Sequence, residues 1–212
     1  MAKVVVFGVT GYAGSRIGVE LVSRGHKVVG VARHTQDVDG RIQVLTGSIH
    51  DAAFVADAVK GAQQIVVALR AEPGEEGEPQ LIDALPLLTR LSIENGARLS
   101  FVGGAGSLKV AEGGPALVEG AEFPDAYKGE ALSHQAILGA LRESDAALDW
   151  FYVSPAPAFG SWNPGERTGS FRVGGDVLLP GAETVSGDDY AIAYVDEIEA
   201  GVHRRERIGV AY

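Results

Sequence analysis

A short β-branched run, Lys3-Val4-Val5-Val6-Phe7, gives way to Gly8-Val9-Thr10-Gly11-Tyr12-Ala13-Gly14 and then to a stretch with Ile17, Leu21 and Val22 at helical spacing. Strand, glycine turn and helix in that order leave few folds open. Each glycine has a separate role at such a junction. Gly8 permits the tight turn, Gly11 lets backbone approach a pyrophosphate, and Gly14 allows close helix packing, while the helix amino terminus offers N–H donors and positive potential. The pattern predicts an anion site, with an ordinary glycine-rich turn as the plain alternative. Its position at the first strand of a βαβ unit favours the anion site.

The rest of the chain repeats the alternation. Strands are predicted at Lys27–Ala32, Ile42–Leu45, Gln64–Leu69, Arg98–Val102, Asp149–Val153 and Arg207–Ala211. Helices are predicted from Asp51 to Gly61, over Gln80–Glu94 with Pro86 as a kink or restart, over Lys128–Arg142, and over Asp188–Glu199 with its acidic start. The segment Arg70–Pro79 holds four Glu, two Pro and two Gly, and reads as a solvated loop or a lid. Between Ser154 and Gly187 the text is irregular, with a hairpin of Phe171–Val173 and Val177–Leu179 expected around Gly174-Gly175-Asp176. The expected fold is α/β: one doubly wound, Rossmann-like parallel sheet in a single domain over residues 1–212, in the order 3-2-1-4-5-6 with a seventh strand at the edge, and a small irregular excursion on the substrate side.

Composition narrows the function. Lys and Arg number 18 against 28 Asp and Glu, a net charge of −10, which disfavours nucleic acid and anionic membranes. No Cys is present, which removes disulfides and thiolate chemistry and suits a reducing compartment. Apolar runs such as Ile65–Leu69 are far too short to span a bilayer, and the start does not resemble a signal peptide. A cytoplasmic protein, monomer or homodimer, is expected. The five His residues are scattered without ligand spacing, so no metal is predicted, and no G-x-S-x-G elbow is present.

An acidic residue at the end of the second strand would accept hydrogen bonds from the ribose of NAD; Val31-Ala32-Arg33-His34 offers a base instead. Arg33 can clamp a 2′-phosphate with its planar fork, so NADPH is favoured over NADH, the alternative being a solvated surface arginine. After the third strand, Ile49 could cover an adenine and Ser48 or Asp51 reach its edge, or Ser48–Asp51 could simply cap the next helix.

These features, with Gly103-Gly104-Ala105-Gly106-Ser107, Ser154-Pro155-Ala156, Gly165-Glu166-Arg167-Thr168-Gly169 and Asp188-Asp189-Tyr190-Ala191, resemble the atypical short-chain dehydrogenase/reductase group, in particular small NAD(P)H-binding proteins similar to NADH-flavin reductases and biliverdin-IX beta reductase. The resemblance implies a Rossmann-like domain binding NADP. Thr10, Tyr12, Ala13, Arg33, Ile49, Ala68, Leu69, Arg70 and Gly104 would line the cofactor cleft, and Ser107 and Pro155-Ala156 would flank the nicotinamide. Ser48 is a departure, since such proteins often carry Asp there.

Most short-chain dehydrogenases protonate a forming alkoxide from a Tyr whose pKa is lowered by a Lys four residues on. Here Tyr127 is followed at that spacing by Ala131, Tyr152 by Ala156 and Tyr190 by Tyr194, while Lys128 is merely adjacent to Tyr127. Alcohol dehydrogenase and sugar epimerase chemistry are therefore demoted. Flavins such as FMN or FAD, quinones and bilins spread the charge of an added hydride over a conjugated system, so solvent can supply the proton and positioning becomes most of the catalysis. The expectation is an NADPH-dependent reductase of such an acceptor, with Ser107 and, more weakly, Tyr127 as candidate polar contacts and Phe159, Trp162 and Phe171 as stacking candidates. The competing expectation is a non-catalytic NADP sensor that reports occupancy to a protein partner.

Overall fold

The computed structural model describes residues 1–34, 38–72 and 77–212. In chain order the elements are β1 (Lys3–Phe7), α1 (Tyr12–Ser23), β2 (Lys27–Ala32), β3 (Gln43–Thr46), α2 (Ala52–Ala58), β4 (Gln64–Val67), α3 (Leu85–Asn95), β5 (Arg98–Val102), α4 (Asp125–Arg142), β6 (Trp150–Pro155), β7 (Arg172–Gly174), α5 (Gly187–Ala200) and β8 (Glu206–Ala211). They build one sheet in the order β3-β2-β1-β4-β5-β6-β8-β7. Every neighbouring pair runs parallel except β7 with β8.

Alternation along the strands divides the core. In β1, Val5 and Phe7 join Val29, Val31, Ile65, Val67, Leu99, Phe101, Trp150 and Tyr152 on the face covered by α2, α3 and α4. Val4 and Val6 point the other way, with Val28, Val66, Phe151, Val153, Ile208 and Val210, under α1 and α5. Each of these side chains contributes roughly 1.5–3 kcal/mol relative to exposure, which is why the strands read as unbroken apolar runs rather than alternating ones.

Local sequence sets the helix ends. Asp51 caps α2 by accepting from the amides of Ala53 at 3.1 Å and Phe54 at 3.0 Å. Pro86 stands in the first turn of α3, after a 3-10 turn over Leu81–Ala84, so it is a restart and not a kink. Ser186 caps α5 through the Asp189 amide.

Two expectations need correcting. The strand ending at Ala211 is not the edge, because β7 adds an antiparallel strand outside it. Nor do Phe171–Val173 and Val177–Leu179 form a hairpin; Arg172–Gly174 pairs with β8, and Val177 bridges Lys109. The reason is Asp176. Its carbonyl accepts from the Lys109 amide at 2.9 Å and its carboxylate from Arg207 at 2.7 Å, which turns the loop across the end of the sheet instead of folding it back on itself. The open edge of β8 is covered by β7 instead. The lid reading of Arg70–Pro79 falls partly on residues 73–76, outside the described residues.

Candidate functional site

The carboxyl ends of β1, β2, β4, β5 and β6 lie along one edge of the parallel sheet, from which the loop between β1 and α1 departs. Gly8 turns there with φ +86°, donating its amide to the Val31 carbonyl at 2.8 Å, while Gly11 donates to the Gly8 carbonyl at 2.9 Å. A side chain has no room. A Cβ on Gly8 would lie 2.3 Å from the Ala68 carbonyl oxygen, and one on Gly14 would lie 2.1 Å from the Gly8 carbonyl oxygen. Both obstacles are backbone, which cannot step aside as a flexible side chain can.

Gly11 is the N-cap of α1 and supplies no capping side chain, and no acidic residue stands in the first turn. Among the described residues, the amides of Tyr12, Ala13 and Gly14 find no acceptor. α2 and α5 both have a capping carboxylate or hydroxyl; α1, with exposed Thr10 and Gly11 at its mouth, does not. Uncapped amides at the positive end of a helix, on a loop that excludes side chains, suit a diphosphate.

Around this cradle the predicted cofactor residues fall into two groups. Arg33 follows β2 directly, is exposed, and makes no ion pair among the described residues. Ala68 and Leu69 follow β4, half-buried, and Arg70 reaches from there to Glu130 on α4 at 3.0 Å. Gly104 is half-buried after β5, while Pro155 and Ala156 are buried at the end of β6. The second group has other employment. Ile49 is packed into the core beside Val29, Val31 and Val55, and the Ser48 hydroxyl accepts from the His50 amide at 3.2 Å. Together with the Asp51 cap, the Ser48–Asp51 stretch serves as the start of α2.

Tyr12 connects the loop to the irregular segment before α5. Its hydroxyl donates to the Pro164 carbonyl at 3.3 Å, its ring meets Phe159 edge-on at 5.2 Å, and the Arg16 guanidinium lies 4.1 Å from its centroid. Burial raises its phenol pKa, and Arg16 opposes this without winning. Of the three stacking candidates, Phe159 is committed to Tyr12 and Tyr190, and Phe171 packs on the α1/α5 core. Trp162 alone is open, at 65% exposure, with its indole over Gly160.

In the loop after β5, Ser107 is buried and its Oγ accepts from Arg207 Nη1 at 2.9 Å. Tyr127 is half-exposed in the first turn of α4 and makes no side-chain hydrogen bond among the described residues. Tyr152 is fully buried beneath Gly103, where a Cβ would lie 2.0 Å from the ring, and burial pushes its pKa up. His134 is buried on α4 with Nδ1 unpartnered, and burial pulls its pKa down to about 4 despite Glu130 nearby.

Residues that sequence reasoning passed over now stand out. Arg207, which opens the expected strand Arg207–Ala211, has a side chain only 1% exposed that touches Ser107. Its signal was a charge at the head of an otherwise apolar strand. Asp189, hidden in the Asp188-Asp189 pair, is fully buried and binds Thr168, Gly169 and Tyr212. Among the described residues no cluster of His, Asp and Glu could hold a metal ion, and no helix is long and apolar enough to cross a membrane.

Comparison with known proteins agrees with this geometry. Residues 8–198 match the NAD(P)H-binding protein family. A crystal structure from Burkholderia pseudomallei, named a "putative exported protein", is 37% identical with TM-score 0.83, covering 100% of both chains. One from Streptococcus pneumoniae, named a "putative NADH-flavin reductase", is 28% identical with TM-score 0.78, covering 100% of this chain and 99% of that one. One from Bacteroides thetaiotaomicron, named a "putative epimerase", is 28% identical with TM-score 0.85, covering 100% and 97%.

Proposed function

Starting from the fact that this chain belongs to the NAD(P)H-binding family, we propose that it is an NADPH-dependent reductase of a planar conjugated acceptor such as a flavin, a quinone or a bilin, working in the cytoplasm. The observation that carries the reading is the side-chain-free cradle at the uncapped end of α1. The free backbone amides of Tyr12, Ala13 and Gly14 would hold the diphosphate, Arg33 the 2′-phosphate, and Ala68, Leu69, Arg70 and Gly104 the wall of the cleft. When bound, a reduced nicotinamide supplies a hydride.

Acceptor chemistry follows from what the chain lacks. No Tyr is followed by Lys at a helical turn. An acceptor that needs a proton delivered during hydride transfer is poorly served here, whereas one that delocalises the charge needs only to be stacked and oriented. The name of the Streptococcus pneumoniae relative supports a flavin, while the epimerase name of the Bacteroides relative finds no Tyr/Lys support in this chain.

The test has two stages. NADPH and NADH are titrated against the protein by calorimetry, and NADPH oxidation is then followed with FMN, FAD, riboflavin and quinones against a protein-free control. Tight NADPH binding with turnover of at least one acceptor is expected. Binding without turnover of any would transfer the reading to an NADP sensor.

A further inference from the structure

We propose that Arg207 is a positioning residue of the acceptor subsite: with Ser107 it forms a hydrogen-bonding and electrostatic seat for the negative charge that an acceptor gains on reduction. The inference rests on the reductase reading above and narrows its acceptors to those whose reduced form is an anion.

Three observations meet at this point. Arg207 lies on β8 with its side chain buried, donating through Nη1 to Ser107 Oγ at 2.9 Å, through Nε to Asp176 Oδ1 at 2.7 Å and through Nη2 to the Asp176 carbonyl at 3.0 Å. A guanidinium has no lone pair to offer, so Ser107 can meet it only as acceptor, and the hydroxyl hydrogen must point elsewhere. Among the described residues that hydrogen finds no acceptor, although Ser107 is buried. A buried donor without a partner is costly, and one polarised by a charged neighbour is a stronger donor than an ordinary serine.

The second observation is the charge count. Asp176 pairs with Arg207 at 2.7 Å and also with Arg142 at 2.6 Å, and among the described residues neither arginine has another carboxylate partner. Two guanidiniums share one carboxylate. The cluster carries one net positive charge, with Arg207 buried against Ser107 and Arg142 toward solvent, within a chain whose net charge is −10. A guanidinium is expensive to bury, and stability alone would be served as well by apolar packing.

The third observation is place. Ser107 closes the glycine loop that follows β5, in the same loop as the half-buried Gly104 and at the same carboxyl edge of the parallel sheet as the α1 cradle, which follows β1 two strands away. Tyr152, the strand neighbour of Arg207 in the register of β6 and β8, is buried and keeps its proton. Its hydroxyl donates to the His134 carbonyl at 3.4 Å, so among the described residues it is the Ser107 hydroxyl, held by Arg207, whose hydrogen has no partner on this wall. Reduction of a conjugated acceptor adds a hydride, two electrons and one proton, and leaves a delocalised anion that later takes one proton from solvent. Ser107 donates a hydrogen bond to that anion without losing its proton, and Arg207 holds the serine and supplies the compensating charge.

The test uses Ser107→Ala, Arg207→Met, Arg207→Lys and the Ser107→Ala/Arg207→Met double variant, with riboflavin as the probe. Melting temperature, NADP affinity, kcat and KM are measured, together with the affinities of oxidised and reduced riboflavin for NADP-loaded protein under anaerobic conditions. Wild type is expected to bind reduced riboflavin more tightly than oxidised. Ser107→Ala and Arg207→Met are expected to lose that preference and about a hundredfold in kcat, as when one oxyanion donor is removed, with NADP affinity falling far less than kcat. The double variant should be no worse than the worse single one, and Arg207→Lys should recover part of kcat by keeping the charge. If Arg207→Met does not fold, Ser107→Ala and Arg207→Lys decide the matter alone. Full kcat and an unchanged preference in Ser107→Ala, or multiplicative losses in the double variant, overturn the proposal while leaving the reductase reading intact. A wild type that reduces none of the acceptors brings down both.

Discussion

The Asp189 carboxylate accepts the hydroxyl hydrogen of Tyr212 at 2.7 Å, fastening the residue after β8 to the first turn of α5. The same carboxylate accepts from the Thr168 hydroxyl at 2.6 Å, the Thr168 amide at 2.9 Å and the Gly169 amide at 2.8 Å. The segment it holds is the one that meets Tyr12 at the mouth of the cradle, through Phe159 and Pro164.

That clasp is expected to matter for both stability and cofactor binding. Burial would raise the Asp189 pKa, but the Thr168, Tyr212 and Gly169 donors outweigh it and hold it at about 2 against an ordinary 3.8. A depressed carboxyl contributes stability that is fully present above the unfolded value and is lost as pH falls through the folded one, so the clasp weakens from about pH 4 toward about pH 2. Asp189→Asn should cost roughly 1–3 kcal/mol, flatten that part of the stability–pH curve, and weaken NADPH binding several-fold. Denaturant unfolding at pH 7 and pH 3 checks the first two, calorimetry the third; an Asn variant as stable as wild type at pH 7 removes the clasp.

Gly14→Ala places a methyl 2.1 Å from the Gly8 carbonyl oxygen. Loop and helix must then separate, which should cost roughly 1–3 kcal/mol and misalign the α1 amides. NADPH affinity should fall together with the melting temperature. If the substituted protein binds NADPH as tightly as wild type, the diphosphate does not sit on this turn.

How much of this could be read in the sequence depends on the range of the contacts involved. The Lys27–Ala32 strand has the predicted bounds, and the order from β3 to β6 is as expected, because both follow from local apolar runs and right-handed crossovers. The cradle was legible for the same reason: seven consecutive residues carry it. Ser107 and Arg207 are 100 positions apart, and Thr168 and Asp189 are 21 apart. Nothing in one sequence couples such pairs. The expected hairpin failed on the same ground, since Gly174-Gly175-Asp176 has the local chemistry of a tight turn, but Asp176 is claimed by Lys109, Arg142 and Arg207. Ile49 looked available as a cover for adenine only because its burial under α2 depends on strands that pattern alone does not place beside it.

His134 predicts a second pH dependence. Burial holds it neutral, with a pKa of about 4 against 6.5 unfolded. The unfolded chain therefore binds the extra proton between those values and the folded chain does not, so stability falls as pH drops from 6.5 toward 4, by roughly 3 kcal/mol over the range. His134→Leu should remove that slope. Because Nδ1 has no partner, the substitution should leave stability at pH 7 unchanged or higher. Urea unfolding of both proteins at pH 7, 5.5 and 4.5 measures the slopes, and parallel curves would contradict the assignment.

Arg33 decides between the two dinucleotides. It follows the last residue of β2, is exposed and has no carboxylate partner among the described residues, whereas nearby Arg41 is taken by Asp39 at 2.7 Å. A guanidinium there can meet a 2′-phosphate with two parallel hydrogen bonds, an interaction NADH cannot make. Arg33→Ala is expected to weaken NADPH by about 1–3 kcal/mol, which is about fivefold to 150-fold in Kd, and to leave NADH unchanged. Arg33→Lys should recover only part of the loss, because an ammonium keeps the charge but not the fork. Calorimetric titration of both dinucleotides into the three proteins provides the check. Equal affinity of wild type for NADPH and NADH would cancel the NADP preference and leave the cradle at α1 standing.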